Sequence, residues 1–312
     1  MTVRVTSAVW VRGIAELLAA EGLDANALLA EAGIDPAELR APGGRVPTDR
    51  ISTLWELAVQ RSGNPAIALS QPEVVRPASF DVVGYTMMSC ANLKDAFDRL
   101  VRYLRILSHA LTLTQGEEDG RYRLSFDLRG EQRAVPRQRV EFMLVTVATF
   151  SRWVSGRDLR PAEVAFSYPA PVDAGPYREA FRCPVRFDAP VTSLFYALDE
   201  VSKPLSTSNP VLADLHERYA GEYLERFDHG QTSYRVREAI IRRLPDGEPR
   251  RDRIARELAE QYLNRLHLSL GQAAYLLGFS EQSSFFRACK RWFGLPPGEY
   301  RRQLHRAVQP RR

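Results

Sequence analysis

Cysteine is scarce in this 312-residue chain, and Cys90, Cys183 and Cys289 share no disulfide-framework or metal-ligand spacing. That argues against a disulfide scaffold and suits a reducing cytoplasm. The five histidines, His109, His216, His229, His267 and His305, lie scattered without i, i+4 pairing, so no metal site is expected. No Gly-x-Ser-x-Gly elbow, phosphate-cradling glycine loop or dinucleotide fingerprint occurs, so neither catalytic residues nor a cofactor are expected. Asp95 and Asp98 share one helix, where carboxylates ordinarily form its wet side. Long apolar runs are missing too. Val9 to Ala20 is interrupted by Arg12 and Glu16 and reads as an amphipathic helix, so a cytoplasmic protein with no membrane partner is expected. Lysine is almost absent, with Lys94, Lys203 and Lys290 set against forty arginines.

What is present is ordinary globular composition, 45% hydrophobic and 26% charged, in a chain long enough for two domains. The net charge of +5 is unevenly spread. Residues 233–312 hold 17 Arg and Lys against 8 Asp and Glu, whereas the preceding 232 residues carry a net charge of −4. Biased residue usage explains arginine in place of lysine, but not this imbalance against acids. A polyanion partner explains it.

The basic region contains the most informative stretch, Leu268 to Leu304. Ser269 is placed to cap a helix bearing Ala273, Ala274, Leu276 and Leu277, and Gly278 suits the sharp turn that follows. Ser280 is the expected cap of a second helix, with Glu281 in its first turn. Phe285, Ala288, Cys289, Trp292 and Phe293 form one buried stripe. Gly294 ends that helix, and Pro297 opens another. A helix-turn-helix is therefore expected over about 268–294. It leaves Gln282, Ser283, Ser284 and Arg287 outward for base edges, and Lys290, Arg291, Arg301 and Arg302 for phosphates. The same pattern also describes a plain surface helix pair with a solvated face. Phe286 either meets thymine methyls or packs on a neighbouring helix.

The rest of the chain reads as α+β. Helices are expected over Ser7–Glu21, Asp24–Ala32, from a Thr48 cap to Ser62, from an Asn92 cap to about Leu107, and over Arg137–Trp153. Alternation of Leu111 and Leu113, then Tyr122, Leu124, Phe126 and Leu128, predicts a hairpin turning at Gly116–Gly120. Short strands are expected at Val164–Phe166, Val185–Phe187 and Leu194–Tyr196, and a helix from an Asn209 cap to about Phe227. These elements place a domain over 1–230 and a basic all-α domain over 233–312, divided near 229–233. Phe166, Tyr168, Phe187, Phe195 and Tyr196 either line an effector cavity or, as is commoner, form plain core.

The stretch LSLGQAAYLLGFSEQSSFFRACKRWFGLPPGEYR closely resembles the second helix-turn-helix of AraC-type transcription regulators. The matching positions include Leu268, Ala274, Gly278, Phe279, Gln282, Ser283, Phe285, Arg287, Lys290, Gly294, Pro297, Tyr300 and Arg301. Cys289 stands where the family usually has Phe, and Phe286 where a small polar residue is usual. GIDPAELRAPGGRVP (33–47), SCANLKDAFDRLVRYLRIL (89–107) and the segments at 163–205 resemble the arabinose-binding-type effector domain of one AraC subgroup. This resemblance implies a non-enzymatic regulator that binds double-stranded DNA, senses a small-molecule effector, self-associates as a homodimer, and has RNA polymerase as a further partner.

The family pattern carries two helix-turn-helix units. Here Tyr234–Ala255 resembles the start of the first and Arg256–Ser269 the joining helix, with about thirty family residues absent between them. Residues 233–302 are too few for two complete units. A shortened DNA-binding domain is therefore expected. It either binds DNA as a homodimer through one unit per chain, or has lost specific binding and, as a non-catalytic effector-binding or dimerising protein, modulates a full-length relative.

Overall fold

The computed structural model describes residues 4–70, 75–130, 133–224, 251–264, 269–279 and 281–308, with side chains at all of these except 251 and 305–308. Its contacts divide it into two units, Met1–Leu224 and Glu225–Arg312. The expected boundary at 229–233 and the expected helix end at Phe227 lie outside the described residues.

The first unit opens with β1 (Val5–Ser7), paired antiparallel to β2 (Arg45–Pro47). Between them lie α1 (Ala8–Ala20), α2 (Ala25–Glu31) and α3 (Pro36–Arg40). Each starts where a short polar side chain satisfies a free N–H. Ser7 Oγ accepts from Val9, Asp24 Oδ1 from Ala27 and Asp35 Oδ1 from Ala37. The next helix, α4 (Thr48–Ser62), corrects an expectation, because its N-cap is Pro47 and Thr48 is already helical. The Thr48 amide donates to the Arg4 carbonyl, so the chain passes straight from the ladder into the helix and leaves no capping turn.

A 3₁₀ turn at Pro77–Phe80 leads into α5 (Asp81–Met88), and α6 (Leu93–Leu107) follows, capped by Asn92 as expected. Asn92 Oδ1 accepts from the Asp95 amide at 2.8 Å. The hairpin comprises β3 (Leu111–Glu118) and β4 (Arg121–Leu128). Its turn is tighter than expected. Gly116 remains in the strand opposite Arg123, and Asp119-Gly120 reverses the chain with both residues at positive φ. Primed two-residue turns match the twist of a β-ribbon, and an Asp-Gly pair tolerates them best.

After the hairpin come α7 (Arg137–Ser155), β5 (Glu163–Ala165), α8 (Gly175–Phe181), β6 (Val185–Arg186), β7 (Thr192–Ala197) and α9 (Leu198–Ser202). A further helix, α10, runs over 210–224, and Asn209 Oδ1 accepts from the Leu212 amide at 3.1 Å. The sheet order is β3-β4-β7-β5-β6, antiparallel except for the β5–β6 pair. The fold is α+β.

Two apolar clusters fill this unit, and α7 serves both. Phe142 joins the cluster of α1, α2 and α4 around Trp55, while Leu144, Val147 and Phe150 join the one under the sheet. Of the five aromatic residues weighed as cavity lining or core, Phe166, Phe195 and Tyr196 are buried core, and Tyr168 and Phe187 pack partly buried against it. Phe166 stacks on Phe187 at 5.7 Å, Tyr177 meets both rings edge-on, and Tyr196 is fully buried. Such clusters form because aromatic rings bury large areas and prefer offset or T-shaped contacts.

The second unit is helical where described, with α11 (Arg251–Leu263), α12 (Leu270–Leu276), α13 (Gln282–Phe293) and α14 (Pro297–Val308). Ile254, Leu258, Ala259, Tyr262 and Leu263 of α11 pack with Ala273, Ala274, Phe285 and Cys289. Helix α11 runs unbroken through Ala255–Arg256, so the junction inferred from the family pattern falls inside one helix. Among the described residues no helix is long and apolar enough to cross a membrane.

Candidate nucleic-acid interface

The helix-turn-helix is assembled by local chemistry. Ser269 and Gln272 form a reciprocal capping box. The Gln272 amide donates to Ser269 Oγ at 3.1 Å, and the Ser269 amide donates to Gln272 Oε1 at 2.8 Å. Gly278, at φ +80, closes α12, and the Phe279 amide returns to the Ala274 carbonyl at 3.0 Å. A residue with a Cβ is disfavoured at that φ, which explains a glycine in so short a turn.

The cap of the second helix differs from expectation. Ser280 lies outside the described residues, and Glu281 is itself the N-cap of α13 rather than part of its first turn. Its extended backbone delays the helical bonds until Gln282, while its carboxylate accepts from the Ser283 hydroxyl at 3.1 Å. The negative charge still sits at the positive end of the helix dipole.

One side of α13 is dry. Phe285 and Cys289 are fully buried, Ala288 nearly so, and Trp292 and Phe293 pack partly against the same core. Burial pushes the Cys289 thiol up to about 12, so it packs as a neutral group. Phe286 packs against this cluster edge-on to Phe285, as a neighbour-packing ring would. Phe293 stacks on Tyr300 at 4.2 Å, and Tyr300 donates to Glu260 at 2.8 Å, which ties α14 to both α13 and α11.

The opposite side is polar and basic. Gln282, Ser283, Arg287, Lys290 and Arg291 are exposed, and Ser284 is half-buried. Ser284 Oγ accepts from Arg287 Nη2 at 3.1 Å, which steers the guanidinium toward the helix N-terminus. Lys290 and Arg291 lie in the last turn, where cations complement the dipole. Arg291 approaches Asp252 at 3.9 Å across an exposed gap, a weak contact in water. At about 1.5 Å per residue, the twelve residues of α13 span roughly 18 Å, and the major groove is about 12 Å wide. Its N-terminal half therefore suits base edges and its C-terminal half the flanking backbone.

The expected phosphate set does not stay together. Arg302 is exposed, but Arg301 turns inward and donates from Nε to the Leu263 carbonyl at 3.1 Å. Desolvation lowers its pKa, and it latches α14 to the C-terminus of α11. The sequence places Arg301 among the outward cations, but a basic residue's position along a helix does not report the direction of its side chain. Tyr275 on α12 is exposed, although its neighbours in sequence form the apolar face of that helix.

A helical unit with this turn and this polar edge, in a chain that also carries an α+β domain, has the make-up of a helix-turn-helix regulator. The comparisons agree. The arabinose-binding domain of AraC transcription regulators matches residues 22–205, and a helix-turn-helix domain matches residues 250–303. The chain belongs to the AraC family of transcription regulators, which are DNA-binding proteins and not enzymes. It is 27% identical to the ornithine utilization regulator of Pseudomonas aeruginosa, covering 96% of this chain and 97% of that protein. It is 28% identical to the transcriptional regulator VirS of Mycobacterium tuberculosis, over 68% of this chain and 72% of VirS. Among solved structures, the transcriptional regulator CdpR of Pseudomonas aeruginosa covers 89% of this chain and 96% of its own at 18% identity, with a TM-score of 0.45.

Proposed function

We propose that this regulator reads duplex DNA by laying α13 in the major groove, as a cytoplasmic homodimer whose N-terminal domain senses a small molecule. Gln282, Ser283, Ser284 and Arg287 address base edges. Lys290, Arg291 and Arg302 address phosphates, joined by the Tyr275 hydroxyl from α12. The carrying observation is the division of α13 into a dry aromatic back and an exposed polar and cationic front. Arg287 is the discriminating group, since a guanidinium donates to guanine O6 and N7 together, for about 1–3 kcal/mol of selectivity. The domains extend over 1–230 and 233–312, and effector binding shifts the population of dimers that present both helices to DNA. RNA polymerase is the partner through which occupancy becomes transcription.

Dimerisation follows from the shortness of the second domain. One module buries on the order of 600–1,000 Å² on DNA, so a single unit binds weakly without a second. The alignment with the ornithine utilization regulator runs over 329 positions, more than the 312 residues of this chain, so the relative carries residues with no counterpart here. The same observation favours a second reading, in which the chain has lost specific binding and modulates a full-length relative by mixed assembly. Electrophoretic mobility shifts on its own upstream region, with wild type and Arg287→Ala, separate the two. Sequence-dependent shifts that weaken with Arg287→Ala support direct reading. Shifts only when a full-length relative is added support the second.

A further inference from the structure

We infer that the interior cavity of the N-terminal domain binds a small monocarboxylate with an apolar body, held by Arg139. This deepens the effector role proposed above and rests on it for the consequence at DNA, though not for the binding itself.

The cavity lies between α6, the β3–β4 hairpin and α7, with α1 and α4 closing it. Its volume is about 50 Å³, room for roughly four waters at about 10–15 Å³ each and so for a ligand of about four or five non-hydrogen atoms. Trp10, Trp55, Leu104, Leu113, Phe126 and Met143 supply apolar walls. Leu113 and Phe126 are direct cross-strand partners, so the hairpin contributes one continuous dry face. Thr6 and Ser108, bonded to one another at 3.0 Å, are the only hydroxyls on the lining.

Among the described residues Arg139 is the one charged group on this wall. It is 7% exposed, and the single hydrogen bond of its guanidinium among the described residues runs from Nη1 to Ser52 Oγ at 3.0 Å. No carboxylate among the described residues comes within ion-pair distance. Asp49 acts on it only through space, opposed by Arg133. Burial lowers its pKa to about 10, which leaves it charged near neutral pH. A guanidinium has five N–H donors in a fixed fork, and a buried cation without a paired anion is unfavourable. A carboxylate completes that fork bidentately.

The lining also argues against a sugar. A pentose brings several hydroxyls, each needing a partner once out of water. This wall offers two hydroxyls, already bonded together, the indole N–H groups of Trp10 and Trp55, and one guanidinium, and Trp55 Nε1 is buried without a partner. A carboxylate accepts from such donors, and an aliphatic body of one or two carbons brings no further polar group to match.

The test is titration of the full chain with acetate and propionate, and with propanol and arabinose as controls, followed by tryptophan fluorescence, since Trp10 and Trp55 line the site. The acids are expected to give a saturable change at millimolar concentration or below, and the controls none. Arg139→Gln is expected to weaken the acids about tenfold or more without lowering the melting temperature, as relief of an unpaired buried charge would not. Should Arg139→Gln fail to fold, Leu104→Trp, which fills the cavity but keeps Arg139, is expected to abolish acid binding. The inference is overturned if neither acid binds, if propanol binds as well as propionate, or if either variant binds acid like wild type. DNA affinity measured on the same samples separates the two proposals. Acid binding with unchanged DNA affinity removes effector control and keeps the site, whereas DNA binding without acid binding removes the site alone.

Discussion

In the N-terminal domain α7 carries two ionisable side chains, Arg139 and Glu141, into the interior. In the C-terminal domain α13 carries Arg287, Lys290 and Arg291, and holds all three at the surface over a dry aromatic back. The same residue type, arginine, thus serves opposite ends. Outside, its charge is partly screened but acts on any polyanion that approaches, which suits the repeated phosphates of DNA. Inside, it is shielded from salt and acts on whatever single group can reach it. Glu141 shows how the interior treats a charge that already has partners. Tyr168 donates to it at 3.1 Å, Tyr177 donates to the same oxygen, and Arg137 lies 3.5 Å away along the helix. Arg139 has only Ser52, and that contrast is why it, and not Glu141, marks a ligand position.

The comparison breaks most visibly if the two units depend on one another for their folds. Phe285→Ala empties the centre of the helix-turn-helix cluster and is expected to cost about 3–5 kcal/mol. DNA binding should vanish, while near-ultraviolet dichroism and acid binding of the N-terminal domain persist; loss of both would join what is here kept apart. A smaller effect sharpens the outer half. Arg287→Ala should lower discrimination between cognate and scrambled duplexes by about 1–3 kcal/mol in competition binding, with little change in affinity for the scrambled one. Ser269→Ala removes half of the capping box and should destabilise the second unit by about 1 kcal/mol, read from its melting transition.

The smallest expected effect concerns the inner half. Burial raises the pKa of Glu141 above its ordinary 4.5, against the pull of its tyrosine and arginine partners. The folded state therefore holds a proton that the unfolded state releases, and wild-type stability falls as pH rises from the ordinary carboxylate range through the raised value. The E141Q protein keeps the tyrosine hydrogen bonds and has no proton to lose. Its melting temperature relative to wild type should rise between pH 4 and neutrality, and a difference independent of pH would contradict the assignment.

Much of this was legible in the chain. The helix-turn-helix was readable because Ser269, Gly278 and Gly294 punctuate it, and because the stripe from Phe285 to Phe293 repeats at helical spacing. Asn92 and Asn209 announced their helices for the same reason, being short side chains that cap locally. Errors arose where a residue answers to a distant part of the chain. Thr48 fails as a cap because its amide belongs to a ladder begun at Arg4. Gly116 fails as a turn because the pairing of β3 with β4 continues past it to Glu118 and Arg121. Arg301 reads as a surface cation until α14 folds it against Leu263. The cavity was invisible for a related reason, since Arg139, flanked by Gln138 and Val140, looks like any arginine of an amphipathic helix. Only the packing of α4 and the hairpin around it removes it from water.

The central claim is that the exposed edge of α13 meets the phosphates and bases of a duplex, and its most direct test is the salt dependence of DNA affinity. For wild type, log K should fall linearly with log salt, with a slope near −0.9 per phosphate neutralised. Lys290→Ala should make that slope shallower by about one unit and leave sequence preference intact. Identical slopes for the two proteins would contradict the account.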